Sequence, residues 1–134
     1  MIGRYFAAML LAVALAGCGR GGAAASLDEP IQLAPGQSAS FKAEKLEVTF
    51  VEVGADSRCP TDVTCFWQGT VPVRLAIRSN GKVMQHEADV STDLAVDSYV
   101  VDVLEVLPAR GSQSRRIAPA DYRVTLKVTR AKSQ

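Results

Sequence analysis

Residues 31–134 predict an all-β domain, an antiparallel β-sandwich or small barrel of seven to eight strands. Three features point there: apolar and polar residues alternate along most of this span, turn-forming pairs punctuate it, and no stretch carries a persuasive helical period. The chain has 134 residues and is 48% apolar, which suits one domain with an ordinary core.

The elements follow in order. Short strands fall near residues 31–33 and 38–42, with the APGQ of residues 34–37 as the turn between them. In LEVTFVEV, residues 46–53, Leu46, Val48 and Phe50 hold one phase and Val51 and Val53 the other. A one-residue slip is what a β-bulge produces; a central strand covered on both faces would show the same pattern. In residues 69–78, Val71, Val73, Leu75 and Ile77 share one face and Thr70, Arg74 and Arg78 the other. Asn80-Gly81 tolerates the positive φ of a type I′ turn, so a hairpin joins strand 69–79 to strand 82–90. VDVLEV, residues 101–106, repeats the phase slip, since Val101 and Val103 are followed by Leu104 and Val106. The last strand alternates cleanly, with Tyr122, Val124, Leu126 and Val128 inward and Arg123, Thr125, Lys127 and Thr129 outward.

The N-terminal residues are of another kind. One positive charge, Arg4, precedes the twelve apolar residues 5–16, a helix of roughly 18 Å against a hydrocarbon layer of ~30 Å. A secretory signal over residues 1–17 fits better than a spanning helix. LAGC at residues 15–18 resembles the bacterial lipoprotein lipobox, in which the cysteine takes a diacylglycerol, cleavage follows and the new amino terminus is acylated. That resemblance implies a lipid on Cys18, a membrane as partner through that lipid, and location in a bacterial cell envelope. Gly19 after the cysteine, with no aspartate retention signal, implies the outer membrane, facing the periplasm. Residues 18–30 are rich in Gly and Ala without periodicity and predict a flexible tether of roughly 20 Å reach.

Loss of residues 1–17 takes Arg4 from the 15 Lys and Arg and leaves 14 against 14 Asp and Glu, so nucleic acid is not an expected partner. With Cys18 assigned to lipid, Cys59 and Cys65 remain, and in an oxidising compartment they should form a disulfide. They lie in DSRCPTDVTCFWQG, residues 56–69, which also holds the only tryptophan. Five intervening residues are too many for a usual zinc pair, and His86 is the lone nitrogen ligand. A redox pair would favour two intervening residues at a helix start.

Carried back from residue 71, the inward parity includes Gly69, Trp67 and Cys65, so the strand is expected to begin at Cys65 with the indole packed against sulfur in the core. A ligand-binding rim position is the other reading of Trp67. Phe66, on outward parity, either covers a loop or is an exposed contact. Asp56, Arg58, Pro60, Phe66 and Trp67 make up the candidate binding loop. Asp56 and Arg58 are expected to be exposed and to shape the loop, so that replacing either by Ala costs at most about 1 kcal/mol.

The stretch Asp56, Ser57, Arg58, Cys59, Pro60, Cys65, Trp67 and Gly69 resembles a motif of small bacterial secreted proteins and lipoproteins, with a strand such as LEVTFVEV before it and a tyrosine-led final strand after it. The resemblance covers most of residues 31–134. It implies an envelope β-protein and brings no activity with it.

Other chemistry is sparse. His86 shares parity with Met84, Ala88 and Val90, as a partly buried strand residue would. Asp89, Asp93 and Asp97 are spaced four apart but lack the glycine and dense oxygen ligands of a calcium loop. Arg110, Arg115 and Arg116 form a basic loop that would suit an anionic envelope polymer. No cofactor, metal or catalytic constellation is expected. The leading expectation is a lipid-anchored, noncatalytic binding or structural module whose partner is an envelope protein or polymer. The alternative is a proteinase-inhibitor-like module that presents the pinned loop with Pro60 to a protease cleft.

Overall fold

The structure, a computed structural model, describes residues 22–132. The predicted signal segment and Cys18 lie outside them. Two sheets pack face to face. One runs in the order β1 (Ala23–Ala24), β3 (Ser38–Phe41), β4 (Leu46–Val53), β5 (Val73–Ser79) and β6 (Lys82–Ala88). The other runs β2 (Ile31–Leu33), β9 (Arg123–Arg130), β8 (Tyr99–Leu107) and β7 (Asp93–Val96). All pairings are antiparallel except the short parallel contact of β1 with β3.

The alternation that predicted strands also decides the core. Val48, Phe50, Leu75 and Ile77 from the first sheet and Val103, Val124, Leu126 and Val128 from the second are almost wholly buried. Both phase slips are bulges. Register on β5 passes from Phe50↔Leu75 to Glu52↔Arg74, and on β9 from Val103↔Leu126 to Glu105↔Thr125, leaving Val51 and Leu104 without a partner. Each bulge turns the strand by one residue so that Val53 and Val106 again face inward.

The turns match their chemistry. Gly36 takes φ 84° and the Gln37 amide donates to the Ala34 carbonyl at 2.9 Å, which carries the chain from β2 in one sheet to β3 in the other. Asn80 and Gly81 take φ 51° and 83° in the two-residue β5–β6 hairpin.

Three expectations need correction. Among the described residues there are nine strands, because β1 and β7 are added. The first is two alanines, too short for any period, and the second is a four-residue edge strand whose Leu94 and Val96 pack on the core. Residues 22–30 are not a free tether: the Ala25 amide donates to the Ser40 carbonyl, the Asp28 amide to the Val128 carbonyl, and Ala25 and Leu27 pack against the core. Finally, β5 begins at Val73 rather than at Cys65 or Gly69. On β6, an edge strand of the first sheet, His86 is half-buried while Val83 and Met84 are exposed.

Candidate functional site

The connection from β4 to β5, residues 54–72, contains the whole cysteine motif. Its base continues the β4–β5 pairing outward. The Gly54 amide donates to the Pro72 carbonyl at 2.8 Å, Ser57 to Thr70 at 2.8 Å and Cys59 to Gln68 at 2.9 Å. The Ser57 hydroxyl also donates to the Thr70 carbonyl and accepts from the Thr70 amide. Gly69 is required by this close approach. Its φ is +70°, and a Cβ there would lie 1.9 Å from the Ser57 carbonyl oxygen.

Asp56 and Arg58 lie two apart in extended chain, so their side chains share a side, and the guanidinium meets the carboxylate as a fork. Arg58 Nε donates to Asp56 Oδ1 at 2.9 Å and Nη2 to Oδ2 at 2.8 Å. The Tyr122 hydroxyl, at the entry to β9, donates to the same Oδ2 at 2.9 Å. Arg58 then reaches β8, with Nη1 donating to the Val106 carbonyl at 3.2 Å and Nη2 to the Pro108 carbonyl at 3.1 Å. One ion pair thus ties a first-sheet loop to both long strands of the second sheet.

The electrostatics follow from that geometry. Burial would raise the Asp56 carboxyl, but the hydrogen bonds from Arg58 and Tyr122 and the Arg58 charge outweigh it and hold the group below its ordinary value. The bond to Asp56 raises Arg58 against its own burial. Burial and then Asp56 raise the Tyr122 hydroxyl.

The expectation that Asp56 and Arg58 are exposed is corrected. Their side chains keep only 8% and 18% of their accessible surface. Local sequence carried no sign that Tyr122, 66 residues away, would close over them.

Beyond the base the chain turns. Cys59 and Cys65 are joined in a disulfide with Cα atoms 5.9 Å apart. The turn also docks on the β8–β9 connection: the Thr61 amide donates to the Gly111 carbonyl at 3.1 Å, and the Gln113 amide to Asp62 Oδ1 at 2.8 Å. Pro60 is half-buried and residues 61–66 are all exposed. Phe66 is 104% exposed and Trp67 79%.

The core position expected for Trp67 is therefore wrong, and the reason is local. The left-handed residue at Gly69 breaks the strand, so parity cannot be carried back past it. Phe66 is fully exposed and covers no loop, and Trp67, the next residue, is exposed as well. The five residues of the candidate binding loop thus divide: Asp56 and Arg58 anchor, Pro60 lies between, and Phe66 and Trp67 form an aromatic tip.

The other singled-out residues do not join this group. Asp97 accepts from the Ser79 hydroxyl, whereas Asp93 sits directly opposite Asp102 across β7 and β8, where burial and then Asp93 raise the Asp102 carboxyl. Among the described residues no three His, Cys, Asp or Glu are grouped to hold a metal ion. Arg115 and Arg116 are exposed in the β8–β9 connection and Arg110 is half-buried. Comparison with family models, with curated proteins and with solved structures finds no match to this chain.

Proposed function

We propose that this protein is a noncatalytic binding module, held at a bacterial cell envelope by lipid on Cys18, and that it engages an envelope protein or polymer through the Phe66–Trp67 tip. One observation carries this reading: two large aromatic side chains stand in solvent at the end of a loop that a disulfide, a backbone ladder and a buried ion pair hold in place. Exposed aromatics side by side are unfavourable for solubility and favourable as anchors at interfaces. A pinned loop loses little conformational entropy on binding. The lipid part rests on the LAGC of residues 15–18 alone.

The test is photo-crosslinking in living cells, with a benzoyl-phenylalanine placed at residue 66 or 67 and, as control, at Glu47 on the outer face of β4. Discrete products from the tip positions alone support the reading; equal or absent products at all positions overturn it. Cys18→Ser should accumulate as unprocessed precursor, and cleavage of that variant after Gly17 would sink the lipid assignment.

The exposed run of residues 61–66, closed by the disulfide, favours a second reading, insertion into a protease cleft. Inhibition of a protease panel by the purified protein, lost in Phe66→Ala, would replace the first reading with this one.

A further inference from the structure

At one edge of the second sheet two carboxyls face each other without an evident counterpart. β7 is a four-residue edge strand paired to β8 alone. It holds Leu94 and Val96 against the core, so its grip on β8 decides whether that side of the core stays covered. With Leu94 and Val96 inward, Asp93 points outward, and the register sets it directly opposite Asp102 of β8. Directly opposed residues of an antiparallel pair share a face with Cβ atoms about 4.5–5.5 Å apart, and like charges there oppose the pairing.

A second, independent observation marks the pair. Asp102 Oδ1 is shielded from solvent and has no hydrogen-bond partner among the described residues. Buried polar atoms are almost always paired, and a charged one left alone is the costliest case. The neighbouring charges do not relieve it. Asp93 is the only charged residue of β7. Lys127 stands opposite Asp102 on β9 but does not bond Oδ1. The other charged groups on this outer face, Glu105 of β8 and Arg123 of β9, sit further along, opposite Thr125 and Leu107. Burial and then Asp93 raise the Asp102 carboxyl, and they outweigh Lys127, which lowers it.

We propose that Asp93 and Asp102 form a proton-operated clasp: one proton shared by the two carboxyls fastens β7 to β8, and its loss leaves opposed carboxylates that loosen the strand. The proton comes from water and returns to it. While bound, it makes one carboxyl an O–H donor to the other and removes a charge that burial penalises. The sign is opposite to that of Asp56. A carboxyl raised above its unfolded value contributes stability that is complete below that value and is lost as pH rises through the folded one. β7 therefore closes in acid and loosens toward neutrality, where its opening uncovers Leu94, Val96 and the edge of β8. The clasp stands apart from the Phe66–Trp67 tip, and either can fail without the other.

The experiment follows the side-chain carboxyl carbons of Asp93 and Asp102 by NMR in the purified mature chain, from about pH 3 to pH 7, with amide exchange along β7 and β9 corrected for intrinsic rates. Expected are two coupled steps, one of them above the ordinary Asp value near 3.9. Opening of β7 should grow about three-fold as that upper step is passed, the size of a like-charge cross-strand effect. In Asp93→Asn and Asp93→Ala the Asp102 step should fall toward the ordinary value and β7 protection should stay level. Asp93 is exposed, so the fold should tolerate both changes, and β9 protection checks that it does. Two independent titrations at or below the ordinary value overturn the proposal. So does a rise in β7 opening that persists in both variants. A β7 that loses protection in acid together with β9 would follow the Asp56 anchor alone and overturns it as well.

Discussion

The base and the tip of the motif loop are separated by only a few residues, yet they are held by different physics. At the base, Asp56, Arg58 and Gly69 meet groups that the protein itself supplies: a tyrosine hydroxyl, one carbonyl of β8 and one just past its end, and a facing backbone. At the tip, Phe66 and Trp67 meet solvent, and the turn that carries them is closed by the Cys59–Cys65 bond and docked by backbone bonds. A motif that reads as one unit therefore has one end turned inward to stability and one turned outward. Substitutions at the two ends should separate cleanly in their effects.

The largest effect belongs to Gly69→Ala. The new methyl must displace the Ser57 backbone and occupy a left-handed conformation, so the base of the loop cannot close as it is. A loss of at least about 3 kcal/mol is expected, from overpacking and backbone strain together. Denaturant unfolding with an unchanged midpoint would show that the base is looser than described.

Next comes the ion pair. Removing Arg58 leaves a largely buried carboxylate, and removing Asp56 leaves a guanidinium and a tyrosine hydroxyl without their acceptor. Either change to Ala should cost about 2–4 kcal/mol, between the values for exposed and fully buried pairs and above the 1 kcal/mol that an exposed pair would warrant. The effect should depend on pH. The Asp56 carboxyl is more acidic in the folded than in the unfolded chain, so its contribution is complete above the unfolded value near 3.9 and is lost as pH falls through the folded value. The stability gap between the parent and Asp56→Asn should therefore hold through neutral pH and shrink in acid below about pH 4. A gap that widened in acid would contradict the pairing.

The disulfide should matter less than the base. Cys59→Ser with Cys65→Ser is expected to cost about 2 kcal/mol, several degrees of melting for a domain of this size. The ladder from Gly54 to Cys59 does not depend on the bond, so the β4–β5 pairing should survive, as amide exchange at Ser57 and Cys59 would report. Smallest of all, Phe66→Ala and Trp67→Ala should shift stability by no more than about 0.5 kcal/mol, as for other exposed positions. As the only tryptophan, Trp67 gives a direct optical check: its emission should be that of a solvated indole and open to iodide quenching. A shielded, blue-shifted emission would mean that the tip folds back.

Several of these features were legible in the sequence because they depend on near neighbours. Two-residue alternation marked β4, β5, β8 and β9, and the phase slips at Val51 and Leu104 marked the bulges. Asn80-Gly81 marked its own hairpin. That Asp56 and Arg58 shape their loop was readable, because both lie beside Cys59 in one short stretch. Trp67 was misplaced by the two-residue parity rule, which holds only while the chain stays extended and lapses at Gly69. The short β1 and β7 carried too few residues to show a period.

By itself the sequence determined what is local: an all-β domain, where its strands bend and turn, and the pairing of Cys59 with Cys65. Period, turn conformation and short loop closure are properties of a few consecutive residues. Only the tertiary structure decided what lies beside what. It put Tyr122 and the carbonyls of Val106 and Pro108 on the Asp56–Arg58 pair, left Phe66 and Trp67 in water, and set Asp93 opposite Asp102. Those neighbours are set by how two sheets stack and where their loops converge, and a strand pattern is compatible with many such arrangements.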